Sequence, residues 1–355
     1  MIRSVIILAC LFFALPALAV QDFYVGTNRL EQLRGELLGD IQQGETCQIV
    51  SVSGLIEVES SYEIERNTTS SDNDAFDLVL DEARLGLDIR VNEWASGSVA
   101  FSYQEELDHP ELDEATINLN YKLLHSRIGR QFLPLGMHRT ELVSDPLVRL
   151  FGETRSTALS LGVESSYLNV SGFLLRSNYD DSTDVSNRLH DWGGQLQLSL
   201  DERFELGAAY LNDLAETDFE LLETPYSKRV GAWSGWLRVN TPHLKVRGEL
   251  FCAAQRFASL DLDHNGDGDG DRPLAWLTEI AFPLTPSLEG GLRLEGSDEL
   301  LDFPERQYGV DISWAILSGT TLSLEALHAE FDPTFTTDSK LEKRDKLTLQ
   351  MAVSF

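Results

Sequence analysis

The chain has 355 residues, a formal net charge of −30 and 24% charged residues, and these values exclude two classes of protein. A helical membrane protein is excluded because only one stretch, near the start, is continuously apolar. Nucleic acid is excluded as a partner because binding it requires a basic surface. The acidity fits a solvated exterior, a passage lined by carboxylates, or loops that hold divalent cations beside lipopolysaccharide.

Residues 1–19 are predicted to be a secretory signal. Arg3 precedes an apolar run, Val5 to Val20, that contains the small-residue sequence Ala17-Leu18-Ala19. A basic start followed by a short apolar run and small residues is typical of an exported protein. The run is shorter than the roughly 20 residues of a transmembrane helix, so we expect it to be cleaved.

Residues 20–53 are predicted to form a short periplasmic helix and a linker. Within Thr27 to Gln43, leucine and isoleucine recur at steps of three and four residues, and Gly44 follows as a stop signal. This helix is too short for a stable isolated coiled coil. We expect it to link or to cap the region that follows, although a role in oligomerisation is also open.

From Gly54 the pattern changes to a period of two residues, which predicts a β-strand. Ile56 and Val58 alternate with glutamates, so that one face of the strand carries four carboxylates: Glu57, Glu59, Glu63 and Glu65. In a soluble sheet this face would contact bulk water, and in a barrel it would face a wet lumen. The strand alone does not distinguish the two.

The succession of such segments favours the barrel. Alternating segments of about ten residues recur roughly sixteen times up to the end of the chain, separated in turn by tight connections and by long polar loops. Residues 54–355 are therefore predicted to be an all-β, membrane-spanning, antiparallel up-and-down β-barrel of about 16 strands, with the long loops outside. A soluble sandwich or propeller gives no reason for long and short loops to alternate.

The longest predicted loop that contains chemistry runs from Pro134 to Arg155. The candidate pore-lining or constriction residues lie in it and just before it: Arg130, Arg139, Glu141, Asp145, Arg149, Glu153 and Arg155. In a wide barrel, an infolded loop with opposed charges narrows the lumen and orders polar solutes. The alternative is an external loop whose charges face solvent.

A second loop carries alternating acidic residues of the type that binds calcium. The candidate ligands are Asp261, Asp263, Asn265, Asp267 and Asp269. The pattern matches the first half of a calcium-binding loop, but the bidentate glutamate expected at its twelfth position is absent. The prediction is either a structural calcium ion in loop 261–271 or a flexible acidic loop, and no other cofactor is expected.

The last segment, Lys346 to Phe355, alternates strictly. Leu347, Leu349 and Met351 alternate with polar or small residues, and the segment ends on Phe355. This pattern resembles the closing strand of a bacterial outer-membrane barrel. We therefore predict the bacterial outer membrane as the location, with its lipid and lipopolysaccharide as surroundings and the barrel-assembly machinery as a partner that recognises Phe355.

Several stretches together resemble the LbtU-type siderophore porins, and the resemblance extends over most of the mature chain. They are Ala115 to Asn120, the run Ile128 to Gly136, Ser144 to Leu147, Gly152 to Arg155, Gly54 to Val58 and the N-terminal helix. The resemblance implies a large outer-membrane barrel linked to siderophore uptake, without a plug. The G-R-Q-F-L-P-L-G run is also similar to phosphate-type porins, which leaves the solute open. Independently, the stretch before Gly54 is too short for the plug of an energy-coupled receptor.

The functional prediction is a porin-like channel that passes a small hydrophilic solute by diffusion, with a ferric siderophore favoured through the resemblance alone. A porin for another small anion, or a structural or adhesive barrel with little transport, remains an alternative. No enzyme is predicted, because the sequence contains neither a GxSxG elbow nor closely spaced histidines and carboxylates. A membrane-embedded hydrolase is the remote third hypothesis, and an oligomer is left open.

Overall fold

The computed structural model describes residues 50–67, 72–107, 109–176, 189–201, 203–222, 226–337 and 341–355. Its main elements are sixteen β-strands and one six-residue helix, α1 (Leu147–Gly152). The strands are β1 (Val50–Asn67), β2 (Asn73–Arg90), β3 (Ala95–Gln104), β4 (His109–Tyr121), β5 (Leu124–Phe132), β6 (Arg155–Glu164), β7 (Leu168–Arg176), β8 (Leu189–Leu200), β9 (Phe204–Leu211), β10 (Ala232–Thr241), β11 (Leu244–Ala253), β12 (Leu274–Thr285), β13 (Leu288–Asp298), β14 (Arg306–Leu317), β15 (Thr320–Glu330) and β16 (Leu341–Ser354).

The sheet closes on itself, so no strand edge is left unpaired. Each strand is antiparallel to its neighbours in sequence, and β1 pairs with β16 from Leu55↔Ser354 to Asn67↔Leu341. At the seam, the backbone N–H of Gly54 donates to the carbonyl of Phe355 at 3.0 Å, and the N–H of Phe355 donates back at 3.1 Å. A closed sheet satisfies its backbone polar groups internally, which a lipid environment requires. The predicted sixteen-strand barrel is confirmed.

Side-chain alternation separates an apolar exterior from a polar interior. In β16, Leu347, Leu349 and Met351 are exposed on the outer face, whereas Thr348 and Gln350 are buried on the inner face. The same exposure of large apolar residues recurs on strands around the barrel. An apolar outer surface belongs in lipid, and the barrel lies in the bacterial outer membrane.

The first strand begins earlier than the sequence pattern indicated. β1 starts at Val50 rather than at Gly54, because Val50 and Val52 continue the outward apolar alternation and pair with Ile89 and Leu87 of β2. The predicted signal and the predicted helix before β1 lie outside the described residues. Within the part of the chain that the structure describes, none of the helices has both the length and the apolar character needed to cross a membrane.

Connections are short at one end of the barrel and long at the other. The turns that follow β2, β4, β6 and the other even-numbered strands have two to four residues, whereas the connection after β5 covers residues 133–154 and that after β9 covers residues 212–231. The main apolar cluster lies inside the barrel, where these two long loops meet the inner faces of β6, β7 and β9 to β12. These two loops therefore occupy part of the barrel interior.

Candidate functional site

Residues 133–154, called here the inner loop, fold into the barrel and lie against its far wall. Helix α1 of this loop contacts β11, β12 and β13. Val148 and Phe151 of the helix are fully buried, and the ring of Phe151 meets that of Phe251 on β11 edge-to-face, with centroids 5.2 Å apart. Burial of these side chains, together with the aromatic contact, holds the loop inside the lumen.

Wall carboxylates accept hydrogen bonds from the inner loop and fix its path. The four donors are spread along the loop, and the four acceptors lie on β11, β12, β13 and β15. They are Met137 N to Glu249 Oε1 at 2.8 Å, Thr140 Oγ1 to Glu279 Oε1 at 2.8 Å, Ser144 N to Glu325 Oε2 at 3.1 Å and Leu147 N to Glu295 Oε2 at 2.7 Å. An ionised acceptor makes a stronger hydrogen bond than a neutral one, so these bonds stabilise one loop conformation.

Two arginines on the wall compensate the buried carboxylates. Arg293 Nη2 lies 2.8 Å from Glu279 Oε1 and also donates to the carbonyl of Ser144 at 2.7 Å. Arg247 Nη2 lies 3.4 Å from Glu249 Oε2. Buried charges are tolerated when they are paired and hydrogen-bonded, and here the pairing extends from the wall into the loop.

Gly136 lies close against the wall, with no room for a side chain. A Cβ atom at this position would lie 2.1 Å from Glu249 Oε1 and 2.9 Å from the ring of His138. His138 itself is buried, and this burial lowers the pKa of its imidazole. The lack of a side chain at residue 136 therefore permits the bond between Met137 and Glu249.

The inner loop presents an ion-paired group on its other side. Arg149 Nη1 lies 2.5 Å from Asp145 Oδ1, and Arg149 Nε lies 2.8 Å from Glu153 Oε2. Burial disfavours each charge, but the mutual attraction outweighs it, so that the pKa of Arg149 is raised and the pKa of Glu153 is lowered. The group stays charged and partly accessible to water.

The facing wall, formed by β1, β2 and β16, is acidic and is only partly covered: Glu57 is buried, whereas charges nearer the long-loop end stay accessible. Glu57 and Glu59 on β1 and Glu82 on β2 are close enough to Asp145 for its charge to act on them. Further along the same wall, the charged ends of Glu63, Glu65 and Arg344 meet and are 29%, 30% and 36% exposed. Inward-facing charges that retain this exposure border water.

The predicted constriction residues are distributed between the two sides of the inner loop: the side that contacts β11 to β15 and the side that carries the ion-paired group. Asp145, Arg149 and Glu153 form the ion-paired group, whereas Glu141 binds Lys245 of β11 at 2.9 Å. Arg139 is partly buried, and this burial lowers its pKa. The loop therefore contributes both exposed charges and wall contacts.

Arg155 and Arg130 lie at the base of the inner loop and differ in direction. Arg155 Nη1 binds Glu111 at 2.8 Å and Asp113 at 2.9 Å on β4. Arg130 shares the outward face of β5 with Ile128, and its Nε donates to the carbonyl of Leu112 at 2.7 Å. The alternation of β5 thus sets Arg130 apart from the others.

Sequence reasoning missed the wall residues that hold the loop. They are Lys245, Arg247, Glu249, Glu279, Arg293, Glu295 and Glu325, all on the inner faces of β11 to β15. Their signal is present in the sequence, because a charged residue at every second position of a strand must face inward in a barrel. Which of them meet the loop depends on strand register, which the sequence pattern does not give.

The acidic loop at residues 261–271 has its carboxylates engaged by the loop itself and its neighbour. Asp263 accepts the N–H groups of Gly266 at 2.8 Å and of Gly268 at 3.0 Å, and Asp261 accepts the N–H of Ser227 at 2.8 Å. Among the described residues, the three-carboxylate group whose oxygens converge is a different one, Asp191, Asp213 and Glu216. Calcium binding at loop 261–271 stays a prediction.

A closed sixteen-strand barrel narrowed by an infolded loop is the architecture of the porin class. Solved structures agree, and three of them are similar over nearly their whole length. They are the outer membrane channel DcaP of Acinetobacter baumannii (TM-score 0.62, 13% identity, 86% of this chain and 97% of that chain), the anion-selective porin from Comamonas acidovorans (0.64, 10%, 86% and 99%) and Salmonella typhi OmpF in complex with daunomycin (0.61, 10%, 86% and 97%). At these identities the likeness concerns the fold.

By sequence, the chain is similar to a UPF0422 protein of Coxiella burnetii (strain RSA 493 / Nine Mile phase I). The two are 24% identical over 356 residues, which covers 88% of this chain and 73% of the relative. No protein-family model matches the sequence. The resemblance to LbtU-type siderophore porins is therefore not confirmed, while the porin-type barrel is.

Proposed function

We propose that this protein is a plug-free channel that passes small hydrophilic solutes across the outer membrane by diffusion. The observation that supports this function is the unequal covering of the barrel interior. The inner loop covers charges on β11 to β15, where Glu279 and Arg293 are 0% exposed, but it leaves the charges of β1 and β16 partly accessible. A polar, water-accessible strip beside a narrowing loop is what a diffusion pore requires.

The charges that border this strip favour cations over anions. Glu59, Glu63 and Glu65 lie on the inner face of β1, and Glu82 faces them from β2. Arg84, Arg149, Arg344 and Lys346 offset only part of this charge. A passage lined by carboxylates attracts positive ions and repels negative ones. We therefore propose a preference for cationic or neutral solutes.

A ferric siderophore is the solute that the sequence resemblance suggests, and it remains a proposal. That no plug lies among the described residues does not identify the solute. The charge of the facing wall, formed by β1, β2 and β16 and called here the open wall, restricts which siderophores would pass. A complex with a net positive or zero charge fits the acidic strip better than a strongly anionic one. The same argument disfavours the alternative of a porin for a small anion.

A second function, that of a structural or adhesive barrel with little transport, is favoured by one observation. The inner loop and the described residues of the β9–β10 connection, 212–222 and 226–231, fill the long-loop end of the barrel beside β6, β7 and β9 to β12. The apolar cluster there includes Phe151, Leu214, Tyr226 and Phe257. A filled interior stabilises a barrel without conducting. Neither function calls for enzymatic activity, and we expect none.

Conductance of the purified protein in planar lipid bilayers separates the two functions. We expect single channels whose reversal potential in a potassium chloride gradient has the sign of cation selectivity. Channels that prefer anions would remove the charge argument but leave the pore, whereas a folded barrel without channels would favour the structural function. Uptake of siderophores of different charge into liposomes that contain the protein then tests the solute.

A further inference from the structure

A groove on the lipid-facing surface of the barrel lies beside the short turns, at the end opposite the long loops. Its volume is about 730 Å³, and the surface that lines it is almost entirely apolar. The lining includes Tyr121, Leu124, Leu161 and Val170 on β4 to β7, which are exposed on the outer face, and Trp94 from the turn between β2 and β3. The channel function does not use this surface.

Two small residues on outward strand faces give the groove its depth. Ser126 of β5 and Gly172 of β7 both pair with Leu161 of β6, so they flank the same side chain. A Cβ atom at Gly172 would meet only a backbone oxygen, 3.8 Å away, so the space above this residue is open. An apolar chain placed there contacts side chains on both sides, and these contacts add to its dispersion attraction.

Backbone hydrogen bonds bring three turns together at the rim of the groove. The carbonyl of Trp94 accepts the N–H of Asn120 at 2.8 Å, and the carbonyl of Leu123 accepts the N–H of Glu164 at 2.8 Å. The first bond joins the turn that contains Glu93 to the end of β4, and the second joins the turn after β4 to the end of β6. The rim therefore carries two carboxylates, those of Glu93 and Glu164.

Lys122 supplies the opposite charge at the same rim. It lies in the turn between β4 and β5, and its Nζ is 5.4 Å from the centre of the Tyr121 ring. Lys122, Glu93 and Glu164 are all exposed, and none of them forms an ion pair with another residue that the structure describes. One cation and two carboxylates thus lie at one rim without neutralising one another.

We propose that the groove binds a zwitterionic glycerophospholipid of the phosphatidylethanolamine type. The short turns of an outer-membrane barrel face the periplasm, so the rim lies at the level of the headgroups of the periplasmic leaflet. Lys122 binds the phosphate, the carboxylates of Glu93 and Glu164 bind the ammonium group, and an acyl chain lies in the groove over Gly172. An anionic lipid without the ammonium group leaves both carboxylates unmatched. The proposal requires a membrane-embedded barrel but not a conducting one.

Quenching of Trp94 fluorescence by phosphatidylethanolamine with brominated acyl chains tests the site on the folded, detergent-purified protein. Bromine quenches an indole only at close range, and the contribution of Trp94 is the difference between the unmodified protein and Trp94→Phe. We expect this contribution to fall saturably as the lipid is added, and to require more brominated phosphatidylglycerol for the same effect. Lys122→Gln should weaken the apparent affinity about threefold, because one exposed charge pair is lost.

A larger side chain in the groove should displace the lipid. Gly172→Leu fills the space beside Leu161, and Ser126→Leu fills it from the other side, so saturable quenching should disappear in both variants. Gly248→Leu is the matched control. Gly248 also lies on an outward strand face, that of β11, and its Cβ would likewise meet a backbone oxygen 3.8 Å away. The control should keep the quenching.

Three results would overturn the proposal. The first is equal quenching in Gly172→Leu and Gly248→Leu, once gel mobility with and without heating shows that both are folded. The second is an equal apparent affinity for the two lipids. The third is a cross-linked oligomer in which a second copy covers Trp94 and quenching begins only after dissociation. None of these results depends on conductance, so failure of this site and failure of the channel function are distinguishable.

Discussion

The two walls of the barrel interior carry similar residues, but these residues differ in their exposure to water. On β11 to β15, Glu249, Glu279 and Arg293 are at most 5% exposed beneath the inner loop, whereas Glu63 and Arg344 on β1 and β16 keep about a third of their side-chain surface in contact with water. The first wall holds a loop, and the second borders a passage. The same side-chain types thus serve structure where they are covered and selectivity where they are not.

Removal of Arg293 should produce the largest effect on the covered wall. Arg293→Ala leaves Glu295 buried without its cation and Glu279 with Arg247 as its remaining cation, and we expect a loss of about 3–5 kcal/mol in the free energy of unfolding. Arg344→Ala on the open wall is the matched control and should cost about 1 kcal/mol or less, because its partners are solvated. Urea unfolding followed by tryptophan fluorescence measures both. Equal losses would mean that the two walls do not differ in this way.

A side chain at residue 136 should lift the inner loop from the covered wall. Gly136→Ala places a Cβ against Glu249, and we expect a cost of about 1–3 kcal/mol together with noisier or larger single-channel currents. Gly172→Ala is the control, since the nearest atom to its Cβ is a backbone oxygen 3.8 Å away. If both variants conduct and unfold like the unmodified protein, the close contact does not hold the loop.

Neutralisation of the open wall should change selectivity rather than stability. In the double variant Glu59→Gln/Glu82→Gln we expect the reversal potential in a salt gradient to move toward zero, because less negative charge borders the passage. Glu330→Gln, at the long-loop end of β15 where Glu330 pairs with Lys343, is the control and should leave the potential unchanged. A shift of the same size in the control would place the selective charge elsewhere.

Acidification should slightly reduce the stability of the folded protein, with its inner loop against β11 to β15, through His138. Glu249 and Arg247 of β11 and Arg149 and Glu153 of the loop surround this histidine, and burial lowers its pKa. Above about pH 6.5 the imidazole is neutral in both the folded and the unfolded chain, so it does not change the stability. Below that pH the unfolded chain binds a proton at His138 that the folded chain does not bind. Stability therefore falls as the pH is lowered, until the pH reaches the lowered pKa of His138.

The measurement for this effect is the melting temperature at pH 7.5 and at pH 5.5. The unmodified protein should lose more stability between the two values than His138→Gln, which has no titrating ring. The two proteins share all other titrating groups, so the difference between their losses isolates the histidine. An identical loss in both would show that the pH response has another source.

The strands followed from the sequence because their signal is local. Alternation in β16 assigns Leu347 and Leu349 to one face and Thr348 and Gln350 to the other, whatever the strand pairs with. Closure also followed, since a two-faced strand repeated about sixteen times in lipid has no stable edge. The start of β1 differed by four residues because Val50 and Val52 continue its outward alternation.

Part of the candidate site was also predictable. The charges of the inner loop were identified from its composition, and the structure gathers Asp145, Arg149 and Glu153 into one ion-paired group. The wall that receives the loop was not identified, because Thr140 and Glu279 are separated by 139 residues and meet only in the closed barrel. Arg130 was grouped with the others by proximity in sequence, although its strand face points away from the lumen.

The sequence by itself determined the faces of the strands and the order of short and long connections, because both depend on neighbouring residues. The tertiary structure alone decided which acidic residues meet. In loop 261–271 the regularly spaced carboxylates include Asp263, which bonds to backbone N–H groups of its own loop. The carboxylate of Asp191, in contrast, lies beside those of Asp213 and Glu216 because of strand pairing and apolar packing. Spacing along a chain predicts local turns, but convergence of charges in a buried site is set by the fold that encloses them.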